Sequence, residues 1–183
     1  MKNTIEVATL GGGCFWCIEA VFLRVKGVLS VQSGFSGGNI KNPAYREVCE
    51  GRTGHAEVCE IKFEAKIISY KELLDIFWEI HDPTTLNRQG HDVGTHYRSV
   101  VFYHNKEQQS IAENLKAELT QTVFTNEPIV TEITSFTNFY PAEAYHNNYY
   151  NLNKNQSYCQ FVIRPKLEKF NRLFKNQIKK AES

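Results

Sequence analysis

The chain has 183 residues, a formal net charge of +1 at pH 7, and 42% hydrophobic and 22% charged residues. This length suits one compact domain with a sizeable core, and the near-neutral charge gives no reason to expect nucleic acid or an anionic membrane as the main partner. No apolar run is long enough to span a bilayer and no secretory signal is recognisable at the N-terminus, so we expect no membrane partner and a cytoplasmic protein.

Strands and helices alternate along the chain. The period-2 and period-3.6 patterns predict strands over 5–10, 28–35, 56–63, 97–103 and 129–136. They predict helices over 15–25, 69–80, 106–122 and 142–152. Several connections are too short for repeated parallel crossovers, which favours a mixed β-sheet with helices packed on it.

Residues 1–183 are expected to form a single domain with a C-terminal tail from about residue 151. The basic stretch after Pro165 is either a docked helix or a mobile arm. The polar stretch 82–96 has neither period, and such a long loop favours a functional role.

The sequence GGGCFWC at 11–17 places Cys14 where a strand turns into an apolar helix. A helix N-terminus favours a thiolate, so we expect a lowered pKa and a nucleophilic Cys14. Phe15 and Trp16 would form a small apolar pocket beside the sulfur, suited to a substrate that carries a methyl group. A disulfide pair and half of a metal site remain open alternatives for Cys14 and Cys17.

The chain has five cysteines, and an odd number without a signal sequence does not indicate a disulfide framework. Cys59 alternates with Ile61 and Phe63 and is expected in the core. For Cys49 burial is favoured over a functional role, and both remain open.

Three remote segments carry groups that a reaction at Cys14 would need. Glu57 enters a strand whose other face is apolar, where a carboxyl group can stay protonated and donate a proton. Tyr45 lies in a predicted turn, and the loop ends with Asp92, Tyr97 and two histidines.

Read together, these segments resemble the A-type peptide-methionine sulfoxide reductases over about residues 5–165. The motifs occur in the order of the family: GCFW (13–16), SGFSGG (33–38), NPAYREVCEG (42–51), TGHAEV (53–58), QGHDVGTHYRS (89–99) and PAEAYHNNY (141–149). The combination of GCFW with a downstream GHAE is far more specific than a bare cysteine spacing.

The resemblance implies an α/β (α+β) fold, a two-layer sandwich of a mixed β-sheet with packed helices and a ferredoxin-like core. It also implies reduction of the S epimer of methionine sulfoxide, free or in proteins, by an enzyme without a bound cofactor or metal. It assigns the attack on the sulfoxide sulfur to Cys14 and the methyl pocket to Phe15 and Trp16. By the same resemblance, four further residues act around the substrate: Glu57 as the acid, Tyr45 and Tyr97 as hydrogen-bond donors to the oxygen, and Asp92 as an orienting carboxylate. His146 lies either behind these residues, in support, or on a surface helix.

The family also implies that a second thiol resolves the Cys14 sulfenic acid to a disulfide, which thioredoxin opens. Cys159, after the polar run 151–157, is the expected resolving thiol on a mobile segment. The chain departs from the usual family motif at Cys17, where glycine is common, so Cys17 is the alternative resolving thiol. We expect a monomer, because nothing in the sequence requires a larger assembly.

His91 and His96 stand where asparagine and glutamine are more usual, a departure that could alter the pH dependence near neutrality. Two rival hypotheses remain. A thioredoxin-like oxidoreductase would use Cys14 and Cys17 alone, and a zinc-binding module would use Cys14, Cys17, Cys49 and a histidine.

Overall fold

A six-stranded mixed sheet forms the centre of the computed structural model, which describes residues 4–180. The strands of the chain are β1 Ile5–Gly11, β2 Val28–Ser36, β3 Ala56–Glu64, β4 Arg88–Gln89, β5 Asp92–Val93, β6 Val100–Tyr103, β7 Glu132–Ser135 and β8 Tyr140–Pro141. The six strands of the sheet follow the order β7-β6-β1-β3-β2-β8, in which β6 and β7 are parallel and the other neighbours antiparallel. A separate two-stranded hairpin joins β4 to β5.

In the described part of the chain, six α-helices accompany the sheet: α1 Phe15–Phe22, α2 Tyr45–Cys49, α3 Tyr70–Glu79, α4 Lys106–Thr122, α5 Tyr149–Leu152 and α6 Arg164–Leu173. The succession β1-α1-β2-β3-α3-β6, with β1 and β3 as the inner pair, is a ferredoxin-like arrangement. The expected mixed sheet with packed helices is therefore confirmed. Within residues 4–180 no helix has the length and apolar character needed to cross a membrane.

Local signals account well for the elements of the core. Ser69 caps α3 by accepting the Glu72 backbone N–H at 3.2 Å, while the Glu72 carboxylate accepts the Ser69 N–H at 2.8 Å. The apolar face of α3, including Leu73 and Phe77, is completely buried. Cys59 is 0% exposed on β3, which confirms its expected place in the core.

The predicted helix over 142–152 is wrong. Tyr140 and Pro141 form the edge strand β8, whose partners are Phe35 and Gly34 on β2. Proline is tolerated at a sheet edge because its missing N–H leaves no ladder bond unmade. A 3₁₀ turn over Ala144–His146 and a left-handed Asn148, with φ of 55°, then leave only the four-residue helix α5.

We call residues 140–163 the cover segment, because they run from β8 to a π-helical turn at Cys159–Ile163 and pack against α1. The chain after them is docked: α6 buries Leu167 and Phe170. Of the two alternatives for this region, the structure shows the docked helix.

Candidate active site

The glycine-rich turn at the end of β1 brings Cys14 to the N-terminus of α1. Gly13 has a φ of +85°, and a Cβ there would lie 2.7 Å from Cγ of Gln89, so both conformation and space demand glycine. Its N–H donates to the Tyr97 carbonyl at 3.1 Å, which ties the turn to the long loop. Cys14 is the N-cap residue and is only 6% exposed.

The expected lowering of the Cys14 pKa is wrong for this structure. Burial raises the pKa of the thiol well above its ordinary value, and the charges of Glu57 and Cys17 raise it further. The Trp16 backbone N–H and the Tyr158 hydroxyl favour the thiolate but do not outweigh burial. The helix N-terminus is present as predicted, and the protein packed around it has the larger effect.

Glu57 lies on the central strand β3 and is 0% exposed. Its Oε2 accepts the Phe15 backbone N–H at 3.0 Å, while Oε1 has no hydrogen-bond partner among the described residues. Burial raises the pKa of this carboxyl to about 8, with a smaller contribution from the Asp92 charge. Glu57 is therefore largely protonated at neutral pH and can act as a proton donor at the start of α1.

Two tyrosines flank this carboxyl. Tyr45 begins α2 and packs against Phe15, with ring centroids 6.2 Å apart, while Tyr97 ends a 3₁₀ turn at Thr95–Tyr97. Burial raises the pKa of both hydroxyls, and the Glu57 charge raises it further. Both groups therefore remain protonated donors across the physiological range.

The two aromatic residues after Cys14 differ in their surroundings. Phe15 is completely buried, whereas Trp16 is half-buried and stacks on Tyr149 with ring centroids 3.7 Å apart and planes within 4°. Trp16 Nε1 donates to Nδ1 of His146 at 3.0 Å. His146 is 0% exposed, so the surface-helix alternative for this residue is wrong.

On the other side of Cys14, a cavity of about 390 Å³ reaches Cys17 and Asp92. Tyr158 closes it from the cover segment: its hydroxyl donates to Oδ2 of Asp92 at 2.6 Å and lies 3.8 Å from Sγ of Cys17. His91 is exposed at its edge. Glu57 and the two tyrosines beside it do not line this cavity, so Cys14 has two distinct flanks.

Comparison with known proteins identifies the family to which the chain belongs. Residues 6–178 match the family model described as peptide methionine sulfoxide reductase. The chain belongs to the peptide methionine sulfoxide reductase family. It is therefore an enzyme that reduces methionine sulfoxide, and the thioredoxin-like oxidoreductase hypothesis is wrong.

Individual members of the family support this assignment. The chain is 56% identical over 175 residues to the peptide methionine sulfoxide reductase MsrA of Saccharolobus solfataricus, covering 96% of this chain and 98% of that protein. Reduced Mxr1 of Saccharomyces cerevisiae matches with a TM-score of 0.78 and 34% identity, over 87% of this chain and 91% of that one. Mxr1 in complex with Trx2 matches with a TM-score of 0.56 and 25% identity, over 81% and 87% of the two chains.

The structure groups the cysteines differently from the zinc-module hypothesis. Within residues 4–180, the cluster with metal-ligand spacing contains Cys49, Glu57 and His96 but neither Cys14 nor Cys17. Cys49 is exposed at the end of α2, so the expectation that it is buried is wrong. The expectation rested on how often cysteines are buried in general, which carries no information about this position.

Cys159 is 0% exposed within the π-helical turn, in the same apolar cluster as Cys14 and Cys17. Cys159 therefore does not lie on an exposed segment, although the polar residues before it are largely exposed. All five cysteines are free thiols in this structure.

Sequence reasoning missed three residues that attach the cover segment. Tyr149 stacks on Trp16, and Tyr158 donates a hydrogen bond to Asp92. The third residue is Glu19 on α1, which is 2% exposed. The Glu19 carboxylate accepts the Ser33 hydroxyl at 2.8 Å and the backbone N–H groups of the start of α5. An acidic residue on an otherwise apolar helix face was the available signal for Glu19.

Proposed function

We propose that this enzyme reduces the S epimer of methionine sulfoxide, free or in proteins, with Cys14 as nucleophile and Glu57 as acid. The observation that carries the proposal is the burial of both groups at one helix N-terminus, where Glu57 holds a proton and accepts the Phe15 N–H. A sulfoxide oxygen leaves sulfur only when it is protonated, and a buried carboxylic acid can supply that proton.

In the first step, the Cys14 sulfur attacks the sulfoxide sulfur while Glu57 protonates the oxygen, and the proton that the thiol loses returns to the Glu57 carboxylate. The S–O bond breaks, the hydroxyl passes to Cys14 as a sulfenic acid, and methionine leaves with two more electrons. Tyr45 and Tyr97 donate hydrogen bonds to the oxygen, because their protonated hydroxyls share the surroundings of Glu57. Phe15 and Trp16 contact the substrate methyl group, and Asp92 orients the substrate from the opposite flank.

In the second step, Cys159 attacks the Cys14 sulfenic sulfur and releases water, which gives a disulfide. Tyr158, the neighbour of Cys159, already hydrogen-bonds Asp92 and lies 3.8 Å from Sγ of Cys17. Cys159 therefore directly follows, in the chain, a residue that contacts the active site. Thioredoxin then reduces the disulfide by dithiol exchange, a proposal supported by the structure of Mxr1 with Trx2.

Single-turnover reactions with each epimer test the proposal. Reduced enzyme mixed with the S epimer of N-acetylmethionine sulfoxide should yield one methionine product per chain, and the R epimer should yield none. Product from the R epimer at a comparable rate would contradict the assigned stereochemistry. Turnover with NADPH, thioredoxin reductase and thioredoxin tests the reductant. If thioredoxin fails to reduce the oxidised enzyme, thioredoxin is excluded as its reductant.

A further inference from the structure

Two buried polar atoms, one on the proposed acid and one on a residue close to it, have no hydrogen-bond partner among the described residues. They are Oε1 of Glu57 and Nδ1 of His96, on side chains that are 0% and 4% exposed. Leaving a buried polar group unpaired is costly, so two such atoms on side chains that lie close together call for a ligand. The proposed reaction accounts for the free Oε1 of Glu57, which faces the substrate oxygen, but it does not account for the free Nδ1 of His96.

A thiol completes the group. The Cys49 Sγ, a Glu57 carboxylate oxygen and a His96 ring nitrogen all lie within 4.8 Å of one another. In a tetrahedral zinc site, bonds of about 2.0–2.3 Å place the ligand atoms about 3.3–3.8 Å apart. Small side-chain rotations would therefore bring the three atoms to zinc distances without moving the backbone.

The three ligands come from rigid and accessible parts of the fold. Glu57 is held on the central strand β3 and His96 in the 3₁₀ turn, where its ring centroid lies 3.9 Å from that of Tyr97. Cys49 is exposed, which provides an entry path for an ion from solvent. The charge of Asp92 acts on both Glu57 and His96, so the surroundings favour a cation.

We propose that Cys49, Glu57 and His96 form a Zn²⁺ site whose occupation stops sulfoxide reduction. Thiolate, imidazole and carboxylate are all established zinc ligands, and water completes the tetrahedron. The thiol and imidazole disfavour the hard ions Mg²⁺ and Ca²⁺. On binding, Zn²⁺ displaces one proton from the Cys49 thiol and one from the Glu57 carboxyl, and both protons pass to solvent.

The inhibition follows from the proposed role of Glu57, and this part of the inference rests on the proposed function. A Glu57 carboxylate bound to Zn²⁺ has no proton to give to the sulfoxide oxygen. Reduction therefore stops while Cys14 remains a free thiol. Zinc binding itself does not depend on the reaction and is measured separately.

Cobalt provides the direct measurement of the site. Reduced, chelator-treated enzyme titrated with Co²⁺ should develop a near-ultraviolet thiolate-to-cobalt charge-transfer band at one ion per chain, which Zn²⁺ abolishes. Cys49→Ala should remove the band, and His96→Gln should weaken Zn²⁺ binding by at least about 100-fold. Cys17→Ala and His91→Gln are the matched controls, and both should keep the band and the affinity.

Two outcomes of this titration would overturn the site. Absence of stoichiometric Zn²⁺ binding is the first, and it leaves the reductase assignment intact. The second is a band that Cys17→Ala removes and Cys49→Ala leaves, because the metal would then belong to the Cys14–Cys17 pair.

The inhibition is tested by the methionine yield of each variant, divided by its own yield without zinc. The zinc concentration for half inhibition should rise at least about 100-fold in Cys49→Ala and His96→Gln, and remain unchanged in the two controls. A wild-type enzyme that binds Zn²⁺ at this site yet reduces sulfoxide at full rate would overturn the inhibition, and with it the role of Glu57 as the acid.

Discussion

The two walls of the active site are built in different ways. The inner wall consists of the turn after β1, the start of α1 and strand β3, and it holds Cys14, Phe15 and Glu57 with exposures of 6% or less. The ladders of β1, β2 and β3 hold it in place. The outer wall is the cover segment, with short helical turns attached by the Trp16–Tyr149 stack, the Tyr158–Asp92 hydrogen bond and the Glu19 carboxylate.

This contrast matches the two chemical steps that we propose. Attack on the sulfoxide requires a nucleophile and an acid at fixed positions, which strands and a helix start provide. Forming the disulfide requires a buried thiol to travel, and a region held by a few side-chain contacts opens more readily than a sheet. The same contacts exclude water from Cys14 and so raise its pKa.

The largest effect is expected where the inner wall loses its nucleophile. Cys14→Ser should reduce methionine formation to the uncatalysed background, because the serine hydroxyl is not ionised in a buried site and cannot be oxidised to a sulfenic acid. Product analysis after a long incubation checks this. Catalytic turnover by a Cys14→Ser variant with an unchanged circular dichroism spectrum would refute the assigned nucleophile.

Removing the acid from the same wall should have the next largest effect. Glu57→Gln keeps the shape and should slow methionine formation about 10²–10⁴-fold. Because the Glu57 pKa is about 8, the acid form is lost as the pH rises through that value. The ratio of wild-type to variant rate should therefore be constant below pH 7 and decline by about tenfold per unit above pH 8.

The matched control is Glu60→Gln, on the same strand but partly exposed, which should leave the ratio flat. A Glu57→Gln ratio that does not change with pH would mean that the proton comes from another group.

The outer wall should affect only the later step. Cys159→Ser should leave the first methionine unchanged but slow thioredoxin-supported turnover by at least about tenfold, since the sulfenic acid then lacks its resolving thiol. Rapid-quench and steady-state assays separate the two quantities. Cys17→Ser is the comparison. If Cys17→Ser loses turnover and Cys159→Ser keeps it, the resolving thiol is Cys17 and not Cys159.

The smallest effect should come from loosening the outer wall. Tyr158→Phe removes the hydrogen bond to Asp92, and a bond to a charged group contributes about 1.5–3 kcal/mol. Amide hydrogen exchange should speed up by at least about tenfold over residues 158–163 and stay unchanged over β3. Tyr150→Phe is the control, because Tyr150 lies in the same cover segment and the variant keeps the ring that contacts Arg24. Equal acceleration in both regions would show that the two walls open together.

The inner wall could largely be predicted from sequence, because its signals are local. The glycines before Cys14, the apolar helix after it and the alternating strand around Glu57 each fix their own element. The capping box at Ser69 and the helix Lys106–Thr122 were likewise readable from short patterns.

The outer wall could not be predicted in the same way, because its conformation depends on distant partners. Pro141 suggested a helix start, yet the pairing of Tyr140 with Phe35 made it an edge strand. The raised pKa of Cys14 has the same origin, since a local argument from the helix N-terminus takes no account of protein that covers the thiol.

The division of labour between the two walls is tested most directly in one reaction. Fully reduced enzyme is mixed with excess methionine S-sulfoxide without any reductant, and methionine formed, thiols lost and the disulfide pairing by peptide mapping are measured on the same sample. We predict one methionine, two thiols lost and a Cys14–Cys159 disulfide. A Cys14–Cys17 disulfide with Cys159 still reduced would contradict the account, because both steps would then take place within the inner wall.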